Sequence, residues 1–197
     1  PSMATDPFKT ENYVNEQIVQ ELADKQAITE IIYRYARGLD RMDVEMTLSC
    51  WHEGGTDNHG ALFNGTAVEF VEWLWPIHAA MELTQHTINN ILIELDGDRA
   101  GAESYYTVYL RTKTDDGFSD IVWGGRYCDS FERIDGLWRI RHRESIGDWL
   151  QHIEVGSVDT SGDIPPSDPD NKVIAPSRDK NDYSYQILKN IGQSGGS

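Results

Sequence analysis

The chain has 197 residues, 33 of them Asp or Glu against 17 Lys or Arg, for a formal net charge of −16. That length suits one domain with a sizeable core, and that charge argues against nucleic acid or anionic membranes as partners. No apolar run reaches membrane-helix length, and no charged start precedes a short apolar stretch, so a cytoplasmic protein is expected. Pro1-Ser2-Met3 reads as a cloning remnant around a native Met3. Cys50 and Cys128 stand apart and make no metal-type spacing, which fits a reducing compartment. Six Trp and nine Tyr are many for this length. Most belong in a core, and some suit the wall of an apolar pocket.

Residues 4–155 read as one α+β domain and residues 156–197 as a polar tail. Ile28, Ile31, Ile32, Tyr35 and Leu39 recur at helical spacing and predict a long helix ending near Gly38. A short second helix follows Asp43, with Glu45 in its first turn and Met46, Leu48 and Trp51 for packing. The stretch "HEGGTDNHGALFNG" over 52–65 reads as a glycine-rich loop, either a lid or plain surface. A third helix is expected from Thr66, with Pro76 kinking or ending it.

The period changes at residue 84. Asp96-Gly97, Asp116-Gly117 and Asp135-Gly136 each separate runs rich in β-branched or aromatic residues, a strong hairpin signal. Four strands near 86–95, 100–113, 119–133 and 137–153 make an antiparallel meander, its one face covered by the helices. In the tail Pro, Asp, Ser and Gly dominate. Tyr183, Tyr185, Ile187 and Leu188 suit the docking of one short segment on the domain or on a neighbouring subunit.

The stretch "GLDRMD" (38–43) sets two aspartates three positions apart. Asp43 directly precedes a helix and has the chemistry of an N-cap. Asp40 is not needed for capping. It sits at the C-terminal end of the long helix, where the macrodipole disfavours negative charge, so it invites a functional reading beside the plain one of a solvated loop aspartate. The six histidines (His52, His59, His78, His86, His142, His152) form no His-x-His or His-Glu-x-x-His pattern, and no metal site is expected. His86 opens the first strand of the meander, and alternation puts Ile88, Asn90 and Leu92 on its face. Ile91, Ile93 and Leu95 are equally apolar on the other face, so parity does not settle which is inside. A lone strand histidine is more often structural than catalytic.

The combination is more specific. "AITEIIYRYARGLDRMD", then "QHTINN", then "GGRYCDSFERIDGLWRI" resemble the SnoaL-like and scytalone dehydratase-like branch of the nuclear-transport-factor-2-like superfamily, over roughly residues 22 to 150. The lignin diarylpropane lyases are one group within it. The resemblance implies a curved antiparallel sheet forming a cone-shaped pocket closed by N-terminal helices. It also implies a cofactor-independent lyase or dehydratase and a homo-oligomer, trimer favoured over dimer. In the eliminating members an aspartate ending the first helix and a histidine starting the first strand do the chemistry. Those roles fall on Asp40 and His86, and that of a tyrosine five residues before the aspartate falls on Tyr35. A last-strand arginine of some members has no secure counterpart. Arg139, Arg141 and Arg143 all share one face by alternation, which reads as solvent-side with pairing to Glu103 or Glu132.

In such a dyad Asp40 accepts the Nδ1–H of His86 and fixes its tautomer. His86 Nε2 then acts first as base and afterwards as acid, and Tyr35 donates to a developing oxyanion. The expected substrate is a hydroxylated aromatic small molecule, such as a lignin-derived diarylpropane, losing water or formaldehyde. Trp51, His59, Phe63, Trp73, Trp75, Tyr106, Trp123 and Tyr127 are the candidate liners, with Arg126 alternating to the face opposite Tyr127. Two other classes stay open: a non-catalytic small subunit of a ring-hydroxylating oxygenase, and a ligand-binding or assembly module with an inert pocket.

Overall fold

The structure, a computed structural model, describes residues 15–155 and 174–188. The expected N-terminal remnant and most of the polar tail lie outside the described residues. Helix α1 spans Glu16–Asp40, with Asn15 as N-cap accepting from the Gln17 N–H. Its buried stripe is Asp24, Ile28, Ile32, Tyr35, Ala36 and Leu39, the one-face spacing of an amphipathic helix. Ile28, Ile32 and Leu39 are at most 2 % exposed, and each contributes about 1.5–3 kcal/mol by burial. Near its start, Asp24 accepts from Trp138 Nε1 and Arg133 Nη1, both at 2.8 Å. That tie fixes α1 on the sheet. Among the described residues no helix is long and apolar enough to cross a membrane.

α1 runs through Gly38 to Asp40. The chain then reverses in a Schellman turn: Asp43 N–H donates to Gly38 O, Met42 N–H to Leu39 O, and Met42 takes a left-handed φ of 51°. Helix α2 (Val44–Ser49) starts at once, with Asp43 capping Met46 N at 3.0 Å. The turn therefore leaves Asp40 on α1 and assigns Asp43 to α2. Gly38 is where α2 comes closest: an added Cβ would sit 2.4 Å from Thr47 Oγ1 and 3.0 Å from its backbone nitrogen.

Four long strands follow helix α3 (Ala67–Ala79): β3 (Leu83–Asp96), β4 (Arg99–Thr114), β5 (Gly117–Ile134) and β6 (Leu137–Val155), paired antiparallel in sequence order. α3 begins with a capping box between Thr66 and Glu69 and carries Pro76 inside it. The stretch expected as loop over 52–65 instead holds two strands, β1 (Trp51–Asn58) and β2 (Asn64–Thr66). β1 pairs parallel to β6, giving one curved, unclosed sheet in the order β2-β1-β6-β5-β4-β3. "HEGGTDN" has poor strand propensity, and its ladder partner lies some eighty residues on, so nothing local announces it.

Two of the sheet's bulges overturn the alternation expected at the site. One extra residue in β3 between Ile88 and Ile91 reverses its faces. Thr84, His86 and Ile88 face inward before it and Ile91, Ile93 and Leu95 after it, while Asn90 and Leu92 are exposed. Asn90 and Leu92 thus do not share the His86 face. In β6, Arg141 is the extra residue opposite Ser130 and Phe131. Trp138 and Ile140 face inward ahead of it, and Arg143 does so beyond it.

Residues 174–188 lie as a strap across the α1–α2 corner and the end of α3. Tyr185 Oη donates to Asp43 Oδ2 at 2.7 Å, and the Arg37 guanidinium covers the Tyr185 ring at 4.6 Å. Arg178 Nη1 donates to the carbonyls of His78 and Met81 at 2.8 and 2.6 Å. Docking is mostly polar: Tyr183, Ile187 and Leu188, expected to share in it, remain exposed.

Two stability measurements check this packing. Ala in place of a helical glycine ordinarily gains about 1 kcal/mol. Here Gly38→Ala should instead cost about 1–3 kcal/mol in urea unfolding, because the Thr47 backbone blocks the methyl group. The second concerns His78, 4 % exposed. Burial, then the charges of His86 and Arg178, push its pKa down to about 3 from the ordinary 6.5. The unfolded chain therefore takes up this proton below pH 6.5 while the folded chain stays neutral. The stability it contributes is present above that pH and lost as pH falls from 6.5 towards 3. His78→Leu should lessen the acid sensitivity, gaining about 2–3 kcal/mol on the native chain between pH 7 and 4.5.

Candidate active site

Asp40 ends α1 against the start of β3, and its carboxylate grips His86 twice. Oδ1 meets His86 Nδ1 at 2.7 Å, and Oδ2 accepts the His86 backbone N–H at 2.8 Å. Two donors offset the unfavourable position of a carboxylate at a helix C-terminus. The backbone contact fixes the carboxylate relative to the strand, and the ring contact fixes the imidazole. With Nδ1–H donating to Asp40, Nε2 is the free nitrogen, and among the described residues it has no protein partner. The side chains are 6 % and 13 % exposed for His86 and Asp40.

His86 opens onto a cavity of about 530 Å³ between the helices and the sheet. α1 supplies Tyr35 and Leu39, and α3 supplies Phe70, Trp73, Leu74, Ile77 and His78. β4 and β5 supply Tyr106, Val108, Leu110, Trp123 and Tyr127, and the β1–β2 connection brings His59 with Gly60, Ala61 and Leu62. β6 contributes only Ser145 and Gly147. A Cβ on Gly147 would fall 2.6 Å from Trp123 Nε1, so glycine there lets the indole lie against β6. A wall this aromatic and this size suits one small apolar molecule. The outer side of the dyad borders a smaller depression of about 240 Å³, fringed by Arg37 and Arg41.

Of the aromatic liners expected from sequence, His59, Trp73, Tyr106, Trp123 and Tyr127 face this cavity. Trp51, Phe63 and Trp75 do not. Trp51 is buried behind Tyr35, edge-on at 6.0 Å. Phe63 packs on the outer side of Phe70 and Trp73, and Trp75 packs against the core. Arg126 does point away from Tyr127, pairing with Glu103 and Asp148.

The arginines correct the sequence reading. Arg139 and Arg141 reach the carbonyls of Ser49 and Glu53 on the exposed side. Arg143 is turned inward by the bulge and is fully buried, in a bidentate pair with Asp129 at 2.7 Å for both contacts. Its guanidinium is sandwiched between the Tyr35 and Tyr127 rings, at 4.0 and 3.9 Å from their centroids. Burial opposes its charge, yet Asp129 beside it more than offsets this and keeps the group protonated. The two rings lie between this charge and the cavity. Burial, with the charge of Asp57 adding to it, raises Tyr35 well above an ordinary tyrosine, so its phenol stays protonated. Its hydroxyl is buried and has no hydrogen-bond partner among the described residues.

Sequence reasoning missed Asp57 and Asp129, did not single out His78 among the six histidines, and put Arg143 on the solvent side. Asp57 and His59 sit two apart, the same-face spacing of a strand, but a strand had to be recognised there first. Among the described residues no group of three His, Cys, Asp or Glu is placed to hold a metal.

Residues 20–144 match the family model described as the SnoaL-like domain. Among solved structures, a scytalone dehydratase candidate from Novosphingobium aromaticivorans is 20 % identical with a TM-score of 0.62, covering 74 % of this chain and 97 % of its own. Hexachlorocyclohexane dehydrochlorinase LinA-type3 from Novosphingobium barchaimii is 16 % identical with a TM-score of 0.61, over 72 % and 99 %. An aromatic ring hydroxylase candidate from N. aromaticivorans is 20 % identical with a TM-score of 0.60, over 67 % and 94 %. At these identities the likeness is one of fold. The match over residues 20–144 identifies the chain as a member of the SnoaL-like family, within the nuclear-transport-factor-2-like superfamily.

Proposed function

We propose that this protein is a cofactor-independent lyase that eliminates water or formaldehyde from a hydroxylated aromatic small molecule, such as a lignin-derived diarylpropane. The observation that carries the reading is the Asp40–His86 pair, with Nε2 free, on the wall of a cavity lined with aromatic rings. Asp40 holds the tautomer and balances the imidazolium formed when Nε2 takes a C–H or O–H proton. Tyr35 stays protonated and its ring lines the cavity, and on that basis it is given the role of donor to a substrate oxygen that gains charge. The family membership supports elimination chemistry, since its structural relatives include a dehydrochlorinase and a dehydratase candidate.

Purified alone, the chain should convert a diarylpropane diol or a related hydroxylated aromatic, followed by ultraviolet absorbance and formaldehyde release. His86→Ala should cost about 10²–10⁴-fold in kcat/KM without unfolding, and Asp40→Asn should be similarly damaging because an amide can hold the wrong tautomer. Asp43→Asn should cost little activity, since asparagine caps about as well as aspartate. Silence of both Asp40→Asn and His86→Ala would sink the enzyme reading in favour of a non-catalytic subunit or binding module.

The assembly belongs to the same proposal. Trp149 and Ile153 are exposed on one face of the distal half of β6 and Leu150 on the other, apolar residues that support a homo-oligomer, read here as a trimer. The free thiols Cys50 and Cys128 support a cytoplasmic setting. Light scattering at micromolar concentration should report a trimer, and a monomer would contradict this part.

A further inference from the structure

The cavity holds a second histidine backed by an aspartate. Asp57, at the end of β1, is fully buried, and its Oδ1 meets Nδ1 of His59. Its Oδ2 has no hydrogen-bond partner among the described residues. The His59 ring is stacked on Phe70 with centroids 4.7 Å apart and planes 12° apart, and stands edge-on to Tyr127. Aspartate at one nitrogen and phenyl on one face fix this ring, so Nε2 is again the nitrogen left for an occupant. The sheet order places β1 and β3 apart, with β6, β5 and β4 between them. The curved sheet thus brings the two histidines to one cavity from different flanks.

We propose that His59, supported by Asp57, is the general acid of the elimination, complementary to His86 as base. This rests on the lyase reading and assigns the proton that the leaving group needs. His86 Nε2 takes the carbon-bound proton, the C–H electrons form the new double bond, and the bond to the departing oxygen breaks. That oxygen takes the proton from protonated His59 Nε2 and leaves as water. His59 ends neutral and His86 protonated, and exchange with solvent after product release resets both. Asp57 balances the charge of His59 before the step, as Asp40 balances that of His86 after it. A single histidine would have to take the proton and return the same one, which ties both events to one side of the substrate. Two remove that restriction. The competing role for His59 is as a packed wall residue between Phe70 and Tyr127.

Leaving-group dependence separates the two roles. The probes are a β-aryl-β-hydroxy methyl ketone and the same ketone carrying para-nitrophenoxide in place of the hydroxyl. Both give one conjugated enone, but hydroxide needs a proton to depart and nitrophenoxide does not. His59→Gln keeps size and a hydrogen bond to Asp57 but supplies no acid. It should lower turnover of the hydroxy ketone by about 10²–10⁴-fold and that of the nitrophenoxy ketone far less, while His86→Ala slows both. Asp57→Asn should show the same selectivity to a smaller extent, and serves if His59→Gln does not fold. Equal losses on the two ketones, or no loss on either, with His86→Ala still damaging, would overturn the acid role and leave the lyase reading standing. A folded native chain inert towards both ketones would overturn the lyase reading and this one with it.

Discussion

A fully buried guanidinium sits where the first helix meets the sheet, and the fold is arranged around satisfying it. Arg143 is out of contact with water, and an unpaired charge in that position would cost several kcal/mol. Its compensation comes from separate elements: Asp129 and Tyr127 from β5, Tyr35 from α1, and Trp51 from β1, whose ring lies 5.6 Å away. These partners must meet at one point, so α1, β1, β5 and β6 have little choice of relative position. The extra residue in β6 is part of the same solution, because without it Arg143 would face outward. Flat aromatic faces suit a guanidinium better than an ammonium, and the bidentate carboxylate adds geometry as well as energy.

That constraint reaches the catalytic candidates through α1. The helix is tied near one end by Asp24 to Trp138 and Arg133, and in its second half by Tyr35 on Arg143. Asp40 lies five residues beyond Tyr35, in the last turn, and the Schellman turn keeps it there. Its reach to His86 is therefore set by a helix held at both ends rather than by a loop, the arrangement that holds a reacting pair to sub-ångström tolerance. Asp57 is held similarly from the other flank, because it pairs in register with Arg143 itself. Both acid–histidine pairs thus lean on the same buried charge.

The parts of this plan visible in the sequence are those governed by local physics. The α1 stripe, the caps at Asp43 and Thr66 and the positive-φ Asp135-Gly136 turn each follow from spacing or from what a residue's own backbone permits. The division between Asp40 and Asp43 was legible for the same reason, since one caps and the other opposes its helix dipole. The hidden parts depend on partners far away in the chain. β1 is a strand only because β6 offers a parallel ladder, and its glycines mask the Asp57–His59 alternation. The bulges shift parity by one residue and have no local signature here. That shift is what sent the sequence reading of Arg143 to the solvent and of Asn90 to the His86 face. Pocket liners divided the same way: Tyr106 and Tyr127 follow from alternation, whereas Trp51 and Phe63 are aromatic but stand one layer too deep.

The strap adds a final link between the chain's far end and the cavity. α3 ends at the cavity rim, where His78 and Met81 both line the wall. The last carbonyls of a helix need donors, and at a rim the ready donor is water. Arg178 takes that place, donating to His78 O and Met81 O and reaching Thr84 Oγ1 at 3.2 Å, two residues before His86. The cost is visible in Arg178 itself, whose pKa burial lowers. What is gained is a helix end tied by protein to the start of β3, close to the Asp40–His86 pair. Residues 174–188 therefore buttress the end of α3 and the start of β3 behind the cavity wall, through a guanidinium rather than by apolar packing.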